Sequence, residues 1–115
     1  MAGRLRLRVL PTALDDAESI LRHIQRDSPT SSERFCLELG RAFSMLQGAP
    51  RLGRSVSEHQ RRYAEVRRYL PRKFRKYVIY YAVEPGQIII LRVMHGAMVR
   101  SAGVMPVAAQ STHRL

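Results

Sequence analysis

The stretch Phe74-Arg75-Lys76-Tyr77-Val78-Ile79-Tyr80-Tyr81-Ala82-Val83-Glu84-Pro85-Gly86-Gln87-Ile88-Ile89-Ile90-Leu91-Arg92-Val93-Met94 decides the fold. Two runs rich in β-branched and aromatic residues, 74–83 and 88–94, flank the tetrapeptide Glu84-Pro85-Gly86-Gln87. Such runs fit a pleated, half-buried surface better than a helix. Proline presets φ at the first central position of a turn, and glycine accepts the positive φ that a type II turn needs at the second. The pattern predicts an antiparallel hairpin. Its second arm is apolar almost throughout, which predicts a strand covered on both faces, inside the sheet.

Upstream, Ala64 to Leu70 reads as a short strand broken by Pro71. Residues 51–63 have no strong period and read as an exposed loop. Before them lie two helical stretches. Leu14, Ala17, Ile20 or Leu21, and Ile24 recur at helical spacing over residues 13–26, after a capping-box-like start at Thr12 and Asp15. Ser28-Pro29 opens a second helix with the stripe Phe35, Leu39, Ala42, Phe43 and Leu46, stopped by Gly48 and Pro50. With only Asp27 and Ser28 between them, the helices should form an antiparallel hairpin. Cys36 falls within the stripe and is expected to be a small buried side chain. His23 lies beside the first stripe and is expected at the surface or its boundary, not as a ligand. Residues 4–10 alternate arginine with leucine or valine, so Leu5, Leu7 and Val9 should line the apolar face of an N-terminal strand. The expected fold is therefore α+β: an N-terminal strand, a two-helix antiparallel hairpin, then a three-stranded antiparallel sheet. It forms one domain over residues 1–100, with a tail at 101–115, flexible or ordered by a partner.

Composition narrows the function. The 115 residues hold 20 Lys+Arg against 9 Asp+Glu, a net charge of +11, and every cation except Lys73 and Lys76 is arginine. A GC-rich coding sequence would produce this, and so would a polyanionic partner, because guanidinium groups fork onto phosphates and carboxylates. Ten of the cations lie between Arg51 and Lys76, opposed only by Glu58 and Glu65, a local net of +8. With Tyr63, Tyr69 and Tyr77 nearby, such a patch suits nucleic acid, an acidic protein segment, or plain solvation. One cysteine excludes an internal disulfide and a multi-cysteine zinc site. The chain shows no signal-peptide core and no run of about 18 apolar residues, so a cytoplasmic protein with no membrane association is expected. P-loop, dinucleotide, nucleophile-elbow and metal-spaced His/Cys patterns are absent from the sequence, and neither cofactor nor metal is expected. Metal-free RNA cleavage would need a base, cations for the phosphorane and an acid. Arg67, Arg75 and Arg92 are candidate cations, and His95 or Tyr77 candidate proton carriers. Strand alternation, however, puts Arg92 and His95 on opposite faces unless the strand ends at Met94 and bends at Gly96.

The segment Ile90-Leu91-Arg92-Val93-Met94-His95-Gly96-Ala97 closely resembles the strand-end motif I-x-R-V-L-H-G-A-R-D of the RelE/ParE superfamily of type II toxins. Residues 5–9 followed by Pro-Thr-Ala-Leu-Asp-Asp-Ala are similar to its opening strand and first helix. Gln47 to Gly53 resembles its Pro-x-x-Gly exit from the second helix, and Val66-Arg67 with Tyr77 to Tyr81 its middle strands. The resemblance covers residues 4–100. It implies a three- or four-stranded, mainly antiparallel sheet under a helical hairpin, a cognate antitoxin, and a toxin–antitoxin hetero-oligomer.

The two branches of the superfamily differ in target. RelE-like members cut messenger RNA on the ribosome without a metal, and ParE-like members inhibit DNA gyrase. The third-strand arginine of RelE-like enzymes meets Val78 here, Gly96 to Val99 replace their C-terminal arginine, and no tyrosine follows. The ParE-like Arg-Asp pair is also replaced, by Met98 and Val99, with Arg100 one place late. The resemblance thus points to a ParE-like gyrase inhibitor, not an enzyme, neutralised by its antitoxin. The alternatives are a ribosome-dependent endoribonuclease using Arg67, Arg92 and His95, and an inactive antitoxin-binding module. Partner contacts are expected at Arg61, Arg62, Arg67, Arg68, Arg75, Arg92 and His95.

Overall fold

In the computed structural model, which describes residues 4–56 and 62–96, the chain runs β1 (Arg6–Val9), α1 (Pro11–Asp27), α2 (Pro29–Gly48), β2 (Arg54–Ser55), β3 (Val66–Tyr69), β4 (Tyr77–Glu84) and β5 (Gln87–His95). The α+β class and the helical hairpin match expectation. The sheet, however, has five strands in the order β1-β5-β4-β3-β2, not three. Two causes account for the difference. β1 joins the sheet parallel to β5, pairing Arg6 with Gln87 through Val9 with Ile90. Part of the expected loop 51–63 forms β2, with Arg54 opposite Arg68 and Ser55 opposite Arg67. A two-residue strand is too short to show a period in the sequence, so only its pairing reveals it.

The β4–β5 hairpin forms as its sequence dictates. Gly86 takes φ +79°, the conformation that the second central residue of a type II turn requires. β5 lies between β1 and β4, and Ile88, Ile89, Ile90 and Leu91 are all buried. The strand reaches His95 and does not stop at Met94. Between Tyr80 and Tyr81 the register slips: Tyr80 faces Arg92 while Tyr81 faces Ile90, so Leu91 is the extra residue of a bulge. This slip decides which side chains enter the core. Simple alternation from Ile88 and Ile90 would place Arg92 under the helices. The bulge brings Val93 there instead and sets Arg92 opposite Tyr80 of the other face.

The layer between helices and sheet contains Phe35, Ala42 and Leu46 from α2, Ala13 from α1, and Tyr77, Ile79, Tyr81, Ile88, Ile90 and Val93 from the sheet. Burying each large aliphatic side chain stabilises the fold by about 1.5–3 kcal/mol. Phe35 anchors it, meeting the rings of Phe74 and Tyr77 edge-on at centroid distances of 5.4 Å each. On the other face of the sheet, Val66, Val78, Tyr80, Ala82, Ile89 and Leu91 form a second buried cluster, against which Leu10, Val56 and Tyr63 pack.

Several local expectations change. Helix α1 begins at Pro11 after Leu10, which offers no side-chain cap, so the capping box at Thr12 and Asp15 is not formed. The Thr12 hydroxyl instead donates to the Leu91 carbonyl at 3.1 Å. Ala13 is the buried residue of α1, and Leu14 is 53% exposed. The second helix starts as expected, with Ser28 Oγ accepting from the Ser31 N–H at 3.2 Å. Cys36 is exposed, contrary to expectation. One residue advances about 100° around a helix, so the position after Phe35 leaves the buried stripe. Leu7 is also 37% exposed, because β1 is an edge strand, while Leu5 and Val9 pack on the core.

Candidate functional site

Five of the arginines that the sequence marks as site residues lie in the described structure with known surroundings, and they divide into held and open groups. Arg61 and the tail residues 97–115, including Met98, Val99 and Arg100, lie outside the described residues.

Arg92 is held. Strand β1 ends at Val9, and the chain turns into α1 beside the still-advancing β5. That leaves β5 with edge groups that no strand satisfies. The Leu10 N–H donates to the Ile90 carbonyl at 3.0 Å, and Thr12 takes the next carbonyl. Asp16, one turn further on, completes the seam. Its carboxylate accepts the Val93 N–H at 3.0 Å, and Arg92 Nε and Nη2 at 2.7 and 2.8 Å. This fork-on-fork pair has side-chain exposures of 14% for Arg92 and 15% for Asp16, so water screens it little.

Arg67 is held too. Its Nε donates to Glu65 Oε2, and its Nη1 donates to the carbonyls of Gly53 at 2.6 Å and Arg51 at 3.3 Å. Beside it the Tyr81 hydroxyl donates to the Pro50 carbonyl at 2.7 Å and accepts the Gly53 N–H at 2.9 Å. Together they lock the turn after α2 onto the sheet. A Cβ on Gly53 would stand 2.5 Å from the Arg68 carbonyl oxygen and 2.7 Å from the Tyr81 hydroxyl, so this approach requires glycine. Burial pushes the Tyr81 phenol above the ordinary tyrosine range, against the pull of the Gly53 N–H and the Arg67 charge.

The open group comprises Arg62, Arg68 and Arg75, all exposed. Arg68 stands opposite Tyr80, which stands opposite Arg92, while Arg54 lies on Arg68's other side. A row of three arginines thus crosses the sheet with one buried tyrosine inside it. Burial raises the Tyr80 phenol as well, and the Arg68 charge and hydrogen bond oppose that rise. Arg75 sits on the β3–β4 loop with Arg72, Lys73 and Lys76, near the start of α2.

His95 lies at the end of β5 opposite Tyr77, with the two rings edge-to-face at 5.3 Å. Tyr77 faces the helices, so His95 shares their side of the sheet, whereas Arg92 pairs with Tyr80 on the other. The expected parity of Arg92 and His95 is what the structure has. Arg67, Arg92 and His95 are not brought together. Arg67 lies opposite Tyr81, two strands from β5, and its guanidinium faces the 50–53 turn.

Sequence reasoning missed Asp16, Thr12 and Gln47. Gln47 Nε2 donates to the Leu5 carbonyl at 2.8 Å and its carbonyl accepts the Leu5 N–H at 3.1 Å, which ties β1 to the end of α2. Thr12 and Asp16 lie in the stretch that resembles the family's first helix, and Gln47 in the exit from α2, but their roles were not legible there because each acts across a separation of 40 residues or more. Among the described residues no cluster of His, Cys, Asp and Glu could hold a metal ion, and no helix is long and apolar enough to cross a membrane.

No curated protein matches the chain as a relative. The family model described as "ParE toxin of type II toxin-antitoxin system, parDE" matches residues 7–100, which takes in every strand and helix above except Arg6, the first residue of β1. An α+β sheet under a helical hairpin, with the strand-end motif held by α1 through Asp16 and Arg92, thus coincides with a family match over most of the chain, and the protein belongs to the ParE toxin family of type II toxin–antitoxin systems.

Proposed function

We propose that this toxin acts by binding DNA gyrase and blocking it, without cleaving RNA, and that its cognate antitoxin silences it by covering the open arginines. Membership of the family implies the antitoxin partner. The observation that carries the gyrase reading is the state of the arginines. Phosphorane stabilisation needs cations aimed at one point. Here Arg92 is committed to Asp16, Arg67 to Glu65 and two carbonyls, and His95 stands on the opposite side of the sheet from Arg92. Val78, where RelE-like enzymes carry an arginine, is a buried apolar side chain. Arg67, Arg92 and His95, so placed, do not surround one phosphodiester with an acid, a base and a cation.

Arg62, Arg68 and Arg75 are the residues for partner contact under this reading, with Arg92 and Arg67 shaping the surface from behind and His95 lining the cleft beside Arg75. A supercoiling assay with the purified, antitoxin-free full chain tests it. Gyrase inhibition or gyrase-dependent DNA cleavage at about micromolar protein is the expected result, and antitoxin should reverse it. Intact gyrase activity together with messenger RNA cleavage in a ribosome-containing extract would overturn the proposal in favour of the endoribonuclease. Intact gyrase activity with intact messenger RNA would also overturn it and leave an antitoxin-binding module.

A further inference from the structure

A cavity of about 490 Å³ opens at the end of the molecule where the α1–α2 junction, the β3–β4 loop and the end of β5 converge. Its cations come from the loop: Lys73, Arg75 and Lys76. Lys73 is shared with Glu38 at 3.8 Å, whereas Arg75 and Lys76 form no ion pair among the described residues. Two histidines, His23 of α1 and His95 of β5, also line it, with Asp27 as the one acid. Ser28, the N-cap of α2, and Ser31 in its first turn line the same wall. Ser28 Oγ accepts the Ser31 N–H at 3.2 Å, and both hydroxyls and the positive end of the helix dipole add to the cationic wall. The C-terminal turn of α1 opposes this, and the Ser28 N–H bonded to the Ile24 carbonyl at 2.9 Å satisfies part of its negative end.

We propose that this cleft binds a phosphate group carried by a nucleotide or by single-stranded nucleic acid. The proposal does not rest on gyrase being the target. Three features select phosphate over a carboxylate side chain. The donors approach from three different elements, which suits a tetrahedral group with three free oxygens better than a planar one with two. Serine hydroxyls accompany the cations. The cleft also has aromatic walls, Phe74 and the Tyr77–His95 pair, against which a base can lie beside its phosphate. The volume falls in the range of small-molecule sites, about 300–1,000 Å³.

The test is an amide-resonance titration of the full chain with inorganic phosphate, adenosine monophosphate, a ten-residue oligothymidylate and hexaglutamate. The phosphate-bearing ligands should move the resonances of Ser31, Lys76 and His95. The nucleotide and oligothymidylate arms separate a free nucleotide from a nucleic-acid chain as the source. Arg75→Glu with Lys76→Glu should weaken phosphate binding at least about tenfold and lower the salt slope for oligothymidylate by about 1 to 1.5. Arg6→Glu with Arg8→Glu, an equal charge change on exposed β1 positions, should cost less than about threefold. Equal loss in both double variants would reduce the effect to net charge and overturn the proposal. So would hexaglutamate binding as tightly at the same residues, which would make the cleft a protein-docking site, or no resonance moving at about 10 mM ligand. Should the loop reversal impair folding by circular dichroism, Ser31→Ala and Lys76→Gln provide the same readout with less disturbance.

Discussion

The seam between α1 and β5 and the loop between β3 and β4 carry the same kind of side chain under opposite conditions. At the seam, Arg92 is largely enclosed and meets a carboxylate that accepts three hydrogen bonds, two of them from Arg92 itself. On the loop, Arg75 and Lys76 are exposed and form no ion pair among the described residues. A cation in the first setting contributes to folding and is unavailable to a partner. One in the second contributes little to folding and keeps its donors for whatever arrives. The patch of +8 between residues 51 and 76 is therefore not one surface. Arg67 belongs with the seam in kind, whereas Arg68, Arg72, Arg75 and Lys76 belong with the loop.

The contrast breaks first at Asp16. Asp16→Ala leaves the Arg92 guanidinium and the Val93 N–H without their partner in a poorly solvated place. It should cost about 3–5 kcal/mol, read as a lower urea midpoint at unchanged slope. A loss below about 1 kcal/mol would mean that the seam is as solvated as the loop.

Next come the residues that hold the 50–53 turn. Gly53→Ala drives a methyl group into the Arg68 carbonyl and the Tyr81 hydroxyl, and Tyr81→Phe orphans the Pro50 carbonyl and the Gly53 N–H. Each should cost about 1–3 kcal/mol by denaturant unfolding, and because they share partners their effects should not add.

The same tyrosine sharpens the comparison through pH. Burial raises the phenol of Tyr81, and also those of Tyr77 and Tyr80, so the native state favours their neutral forms more than the unfolded chain does. Their contribution is whole below the unfolded value near pH 10 and is lost as pH climbs through the raised native values. Stability should fall on the alkaline side of about pH 10, tyrosinate absorbance should appear later in native protein than in urea, and Tyr81→Phe should flatten that fall. At the small end, Arg75→Ala, Lys76→Ala and Cys36→Ser should each shift stability by no more than about 0.5 kcal/mol. A larger loss at either cation would show that the loop is held by contacts of the seam's kind.

Much of this architecture was legible beforehand. The hairpin around Pro85-Gly86, the Ser28-Pro29 start of α2 and its stripe from Phe35 to Leu46 follow from local rules, because turn and cap chemistry act over a few residues. What escaped reading acts at a distance or breaks a period. β2 exists only as a partner of β3. Leu14 and Cys36 were misplaced because a stripe inferred from spacing can be out of phase by one residue, which is a quarter turn of helix. The strand-end motif was conspicuous in the sequence, but not the fact that a bulge at Leu91 would send Arg92 to Asp16.

The amino-acid sequence alone determined the class of fold, the order of its elements, the excess of arginine and the family resemblance, since all of these reside in composition, periodicity and short motifs. Only the tertiary structure decided which arginines remain free. A guanidinium's availability depends on whether a carboxylate or a carbonyl from another element stands within about 3 Å of it, and that is a property of register and packing. Asp16 and Arg92 lie 76 residues apart in the chain, and a one-residue slip between β4 and β5 brings them together.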